Sequence, residues 1–273
     1  MCRWIAYSGT PIYLHEALFE PEHSLIVQSL RARSSETTTN GDGFGIGWYN
    51  DREFPGVFKD VRPAWNDSNL QGISQQIKAS LFLAHIRAAT VGAVQRSNCH
   101  PFAHGRWLFV HNGAIDGYEK IRRELMFAVA PELFNSIEGT TDSELMFYLA
   151  LTFGMDGDVA SGLARMAGLI EAVAEKNGIE HALQMSLGIS DGKNLYAVRY
   201  STIGRSRSLF HSRDVEAIQD VTPEADRVSS KTCAIVSEPL TGLADAWEEV
   251  PEASFLTIRR GKVKREDFVP RRP

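Results

Sequence analysis

Cysteine is scarce in this chain: Cys2, Cys99 and Cys233 are the only three in 273 residues. Widely spaced and odd in number, they build neither a disulfide framework nor a Cys-x-x-Cys site. Long apolar runs are also missing, and none approaches the roughly 20 residues that a membrane helix needs. Positive charge is not in excess: 29 Lys and Arg stand against 34 Asp and Glu, a net charge of −5. That balance argues against broad electrostatic binding to nucleic acid. The first residues lack a secretory-signal pattern, because Gly9 and Pro11 break the run that follows Arg3. A cytoplasmic address is therefore expected, where thiols stay reduced. No fixed period marks a repeat architecture. The glycines of NGDGFGIGWY fit no Gly-x-Gly-x-x-Gly register, which rejects a dinucleotide-binding turn.

What is present is an ordinary globular composition, with 43% hydrophobic, 10% aromatic and 23% charged residues, long enough to bury a substantial core. RWIAYSG, SLFLAHI and RWLFVHNGAI read as strands, and FGIGWYN with GVFKDVRPA as a hairpin. SLIVQSLRARS (24–34), NLQGISQQIKA, GYEKIRRELMFAVA, TTDSELMFYLALTFG and DVASGLARMAGLIEAVAEKNG read as helices, the last closed by Gly178. Beyond residue 180 strands return: two around the Asp-Gly signal of HALQMSLGISDGKNLYAVRYS, then SRSLFHS, TCAIVSE and SFLTIRRGKV. Strands with interleaved helices, a helical middle and a strand-rich end suit a layered α+β domain better than βαβ repetition. The basic end RRGKVKREDFVPRRP, interrupted by Glu266 and Asp267, reads as a solvated terminus.

Several residues carry chemistry, each with a plainer reading beside it. Gly41, Gly43, Gly45 and Gly47 fall at every second position, on one face of an extended segment where a ligand or another backbone can come close. Arg87 ends an apolar strand, and its planar fork suits a carboxylate; taken alone, a structural ion pair is the favoured reading. Asn112-Gly113 is by default a turn signal, yet an Asn amide beside a Gly N–H also makes two donors for an oxyanion. Cys99, His100, His104 and His111 invite a metal reading, but their spacing matches no zinc pattern. Thr141 with Glu144 predicts a capping box. Asp142, in the first helical turn, suits the helix dipole and also a ligand ammonium. Cys2 stands directly behind the initiator Met1. If Met1 is removed, this residue carries a thiol and a free α-amine of pKa about 7.7–8.0, a nucleophile and its base in one unit. Taken alone, a buried or incidental cysteine is the simpler reading.

Taken together, MC at the start, then HIRAAT, HNG and TTDSE in that order, resemble the class II glutamine amidotransferases, the branch of N-terminal nucleophile hydrolases that uses cysteine. The motifs span 2–155, and VSEPLT (236–241) resembles the later part of the stand-alone members. With DGFGIGWY, the chain resembles the compact YafJ-like branch, which includes the γ-glutamyl hydrolase of ergothioneine biosynthesis. The resemblance implies a four-layer αββα sandwich of two antiparallel sheets, a single domain over 2–273 with a strand-rich part at 180–260. It implies no cofactor and no metal. It makes Cys2 the nucleophile, Asn112 and Gly113 the oxyanion hole, Arg87 the α-carboxylate ligand and Asp142 the α-ammonium ligand; Thr90 and His100 match positions near the substrate pocket. Where the family often shows HTRWATHG, this chain has Ala88 for the Trp and Val91 for the second His. The implied reaction is hydrolysis of the γ-amide of glutamine or a γ-glutamyl compound through a γ-glutamyl thioester. An ammonia-donating subunit with a separate synthase partner and a non-catalytic amino-acid-binding module are the alternatives.

Overall fold

A computed structural model describes residues 2–30, 40–89, 92–213, 228–243 and 245–273. The first strand shows why two sheets form. In β1 (Arg3–Tyr13), Trp4, Ile5, Ala6 and Tyr7 are all buried. Side chains alternate along a strand, so Trp4 and Ala6 enter one apolar cluster while Ile5 and Tyr7 enter another. A strand apolar on both faces needs a partner layer on each side.

β1 lies within a seven-stranded antiparallel sheet, between β4 (Lys78–Ile86) and β10 (Cys233–Val236). β2 (Phe44–Tyr49) and β3 (Gly56–Asp60) continue past β4, while β9 (Phe210–Ser212) and β11 (Trp247–Glu249) continue past β10. The second sheet runs β13 (Lys262–Asp267), β12 (Ser254–Arg259), β8 (Leu195–Ser201), β7 (Leu183–Ser190), β6 (Trp107–Ile115), β5 (Phe102–His104), and is also antiparallel.

Three apolar clusters separate four layers. Trp4, Leu81 and Leu83 of the first sheet meet Leu108, Val110 and Leu256 of the second in a shared middle core. Behind the first sheet, Ile5, Phe44 and Phe82 pack on Leu14 and Leu18 of α1 (Leu14–Leu18), Leu25 of α2 (Leu25–Leu30) and Leu70 of α3 (Ser68–Ser74). Behind the second, Phe109, Leu187 and Ile189 pack on Leu125 of α4 (Tyr118–Phe127), Phe147 of α6 (Asp142–Thr152) and Leu163 and Ile170 of α7 (Val159–Lys176). The short α5 (Pro131–Phe134) precedes α6. This is the αββα sandwich of an α+β fold. Among the described residues no helix is long and apolar enough to cross a membrane.

The local readings meet the structure unevenly. The 44–60 hairpin, the strands at 78–86 and 107–115, and helices α4, α6 and α7 form where expected. Of the helix expected over 24–34, residues 25–30 are helical and 31–39 lie outside the described residues. Asn112-Gly113 makes no turn: β6 runs straight through it, with Asn112 opposite Ser186 and Gly113 opposite Met185. Pairing with β7 along the whole strand outweighs the local turn preference. SFLTIRRGKV, expected as one strand, is the β12–β13 hairpin, turning at Arg260 and Gly261, both at positive φ. The terminus is likewise not simply solvated. β13 is an edge strand with mostly exposed charges, Phe268 is buried, and Arg271 N donates to Ala164 O of α7 at 2.9 Å.

The alternate glycines are settled by packing at two positions. A Cβ on Gly45 would strike the carbonyl oxygen of His100, and one on Gly47 would lie 2.7 Å from Leu108 Cδ1. The His100 segment and Leu108 of the second sheet, rather than a ligand, take the space those glycines leave.

Candidate active site

Cys2 is half-buried at the mouth of β1. The chain behind it is fixed from a distant part of the sequence. Arg3 is ion-paired with Glu238 and donates to Cys2 O at 2.9 Å. Trp4 N donates to Ser237 Oγ at 2.9 Å, and Ser237 N returns a bond to Trp4 O at 3.0 Å. VSEPLT is therefore the clamp on the first strand. The thiol itself rests on Ala88: Ala88 N donates to Cys2 Sγ at 3.4 Å, and Sγ lies 3.5 Å from Ala88 O.

Arg3 pairs with Ile86, and the same register places Cys2 beside Arg87. The Arg87 side chain is 3% exposed and donates to Gly92 O at 3.3 Å and Asp42 O at 3.5 Å. Its own N donates to Gly43 O at 2.8 Å, while Asp42 Oδ2 accepts from Ala89 N at 2.8 Å. The loop before β2 thus braces both Arg87 and the Ala88 amide that touches the thiol.

Asn112 has the parity of Leu108 and Val110, which belong to the middle core; Cys2 has that of Trp4 and Ala6. Both therefore point into the gap between the sheets. The Asn112 amide makes no hydrogen bond to another described side chain or carbonyl, which leaves its donors available. Gly113 can only be glycine, since a Cβ there would collide with Gln184 O and sit 2.6 Å from His111 Nε2.

Helix α6 starts against this strand. Asp142 Oδ2 accepts from Ile115 N at 2.9 Å, Oδ1 accepts from Ser143 N at 2.8 Å, and Ser143 Oγ lies 2.8 Å from His111 Nδ1. Thr141 Oγ1 caps Glu144 N at 3.2 Å. Only half of the expected capping box exists, because the Glu144 carboxylate accepts instead from Glu138 N at 3.0 Å and Gly139 N at 2.7 Å. The turn before the helix competes for that carboxylate and wins.

Burial pushes the Cys2 thiol above its ordinary value and Asp142 adds to the rise, while the Ala88 N–H and Arg87 pull it down. Charges at Arg87 and Asp142 thus both reach the sulfur, from opposite directions in sign. Beneath the site lie three buried histidines. His85 Nε2 is 3.1 Å from His111 O, and the His85 and His100 rings stand 4.0 Å apart. Burial lowers all three: His85 to about 3, His100 well below its ordinary value, and His111 downward against the pull of Asp142. All three are neutral at pH 7.

The structure thus gathers Cys2, Arg87, Asn112, Gly113 and Asp142 at one end of the sandwich. His100 lies behind them, packed between His85 and Phe102, and Thr90 falls outside the described residues. Among the described residues no group of three or more His, Cys, Asp or Glu is placed to hold a metal ion. Sequence reasoning missed the bracing roles of Ser143, His111 and Ser237, although each sits inside or beside a motif already singled out. It also missed the half-buried Arg207, whose guanidinium feels the charges of Arg3 and Cys2 and which no local pattern marks.

Comparison with known proteins identifies the family. A family model described as glutamine amidotransferases class-II matches residues 19–271. The Saccharomyces cerevisiae protein named "Probable glutamine amidotransferase DUG3" is 33% identical over 95% of this chain and 82% of its own length. A gamma-glutamyl-hercynylcysteine sulfoxide hydrolase of Mycolicibacterium smegmatis is 25% identical over 96% of this chain and 98% of its own. The solved structure of a glutamine aminotransferase class-II domain protein from Silicibacter pomeroyi superposes with a TM-score of 0.74 at 32% identity, covering 98% of this chain and 100% of that one. With a family model over residues 19–271 and a relative 33% identical along nearly its whole length, the chain belongs to the class II glutamine amidotransferases.

Proposed function

We propose that this protein, as one catalytic unit over residues 2–273, hydrolyses the γ-amide of a γ-glutamyl compound through a thioester on Cys2. The observation that carries the reading is the thiol held 3.4 Å from the Ala88 N–H, with the opposite charges of Arg87 and Asp142 both acting on it. An amino-acid head group presents a carboxylate and an ammonium, and that pair of side chains complements it.

Burial keeps the Cys2 thiol protonated near neutrality, so attack needs a base. Removal of Met1 supplies one, the α-amine of Cys2 itself, with a reference pKa of about 7.7–8.0. The amine takes the thiol proton as sulfur bonds to the γ-carbonyl carbon. The oxyanion is received by the Asn112 amide and the Gly113 N–H, donors of the kind whose loss costs about 100- to 1,000-fold in rate. Collapse breaks the C–N bond, and the departing amine takes the proton held on the α-ammonium. Water, deprotonated by the same amine, then cleaves the thioester and releases glutamate. Arg87 holds the α-carboxylate and Asp142 the α-ammonium, while His100 shapes the wall behind the pocket.

The test is incubation of processed protein with a chloroketone analogue of glutamine, followed by mass mapping and an assay of glutamate release. The expected result is one adduct on an N-terminal Cys2, absent from Cys2→Ala. An adduct confined to Cys99 or Cys233, or no adduct with no glutamate released from any γ-glutamyl compound, overturns the reading.

A further inference from the structure

Cys2 lies in a row of residues that crosses the first sheet. Ile5 pairs with Val236, and Val236 with Phe210. β10 ends at Val236 and Arg207 precedes β9, so beyond these pairs single bonds carry the approach to Cys2. They are the Trp4–Ser237 pair, the Arg3–Glu238 ion pair, Ser208 Oγ donating to Ser237 O at 2.9 Å, and Ser186 Oγ, on the residue opposite Asn112, donating to Ser208 O at 3.5 Å. On the other side the register of Arg3 with Ile86 sets Arg87 beside Cys2. With strands about 4.8 Å apart, Arg87 stands about 5 Å to one side of Cys2. Arg207 lies on the other side, across Ser237, where its guanidinium feels the charge of Cys2. Leu209, two residues on, belongs to the middle core and Ser208 O meets Ser186 of the second sheet, so Arg207 stands at the end of the gap that Cys2, Arg87 and Asn112 face.

Arg207 is half-buried, yet its Nε is buried without a hydrogen-bond partner, and no side-chain bond or ion pair joins it to another described residue. The nearby carboxylate of Glu252 is taken by Ser206, through both its N–H and its Oγ at 2.7 Å. A guanidinium withdrawn from water without an anion is a costly arrangement that a ligand carboxylate relieves.

We infer that Arg207 binds a carboxylate on the leaving amine, so that the preferred substrates are γ-glutamyl amino acids rather than glutamine or simple γ-glutamyl amides. The inference rests on the proposed hydrolase reading. Arg87 and Asp142 hold the glutamyl head on one side of Cys2, and the scissile carbonyl lies over the sulfur. The leaving group must therefore project to the other side, towards Arg207. The α-carboxylate of a leaving amino acid lies one carbon beyond the scissile nitrogen, within the space between sulfur and guanidinium.

The experiment compares γ-glutamylalanine with γ-glutamylethylamide, whose leaving groups differ only in that carboxylate, by kcat/KM for glutamate release from processed protein. The wild type is expected to favour γ-glutamylalanine by about 10- to 100-fold, the range of a charge-assisted hydrogen bond. Arg207→Met should bring the ratio close to unity, and Arg207→Lys should keep part of it. Because both substrates are read on one sample, the ratio does not depend on how much of a variant has folded. An equal fall for both substrates in Arg207→Met would place the arginine's effect on the thiol and overturn the inference, as would an unchanged ratio. Equal turnover of both by the wild type removes the role of Arg207 and leaves the hydrolase reading standing; cleavage of neither removes both.

Discussion

Acidification from pH 7 to pH 5 tests the buried histidines. His85, His100 and His111 sit at the junction of the two sheets, and burial lowers the proton affinity of each, His85 to about 3. In the unfolded chain each accepts a proton below about pH 6.5. Between pH 6.5 and 3 the unfolded state therefore binds more protons than the folded one, and stability falls as pH falls. A ring held neutral in this way costs about 1.4 kcal/mol per pH unit. At pH 5 that is about 2 kcal/mol for His85, with His100 and His111 acting in the same direction. Against a typical stability of about 5–15 kcal/mol this is a large fraction. Glu144 opposes it, since burial raises its carboxyl and acid relieves that penalty, but one group offsets only part of three. Urea unfolding at pH 7.5, 6.5, 5.5 and 5.0 should show stability level above pH 6.5 and declining steadily below. His100→Phe, which loses no hydrogen bond to a described residue, should make the slope shallower. Stability unchanged between pH 7.5 and 5.0, or a His100→Phe slope equal to that of the wild type, would refute the reasoning.

Other outcomes follow from single contacts. Asp142→Asn keeps an oxygen for Ile115 N but removes the charge and turns an NH2 towards Ser143 N, so kcat/KM for a γ-glutamyl substrate should fall by about 10- to 100-fold and stability by about 1–3 kcal/mol. Ser237→Ala deletes the acceptor for Trp4 N; it should cost about 1–3 kcal/mol in denaturant unfolding and lower kcat more than it raises KM, because the nucleophile is no longer held in place. Gly45→Ala drives a methyl group into the His100 carbonyl and to 2.8 Å from Lys59 Cγ. An unrelieved overlap of this kind costs about 1–3 kcal/mol, visible as a melting point lowered by several degrees; an unchanged melting point would mean that the sheets move apart there without penalty.

The strands that carry the site were legible because they are buried on both faces: WIAY, LFLAHI and LFV are near-continuous apolar runs, as sheets covered on two sides require. Helix α6 was legible from its cap. The order of strands was not, since β1 pairs with β4 and β10, elements far away in sequence and of ordinary composition. The four layers came from the resemblance, and the three apolar clusters now give them a physical basis. β5 and β11 are too short for a period to show. At the site, Cys2, Arg87, Asn112, Gly113 and Asp142 were singled out in local motifs, and the resemblance supplied their roles. Arg207 escaped because its role depends on where the sheet places it, and Asn112-Gly113 misled because a dipeptide preference says nothing about the strand alongside.

The clamp of Ser237 and Glu238 on the first residues also has a bearing on synthesis. Every motif of the site has left the ribosome once residue 155 has emerged, but the strand beside β1 and the partner of Arg3 come only with residues 233–238. Until then β1 has an open edge, and Cys2 has no fixed direction. A chain stopped at residue 230 would carry MC, HIRAAT, HNG and TTDSE and none of the restraint on Cys2. On the proposed reading, the thiol is therefore set in place only after residues 233–238 have been made.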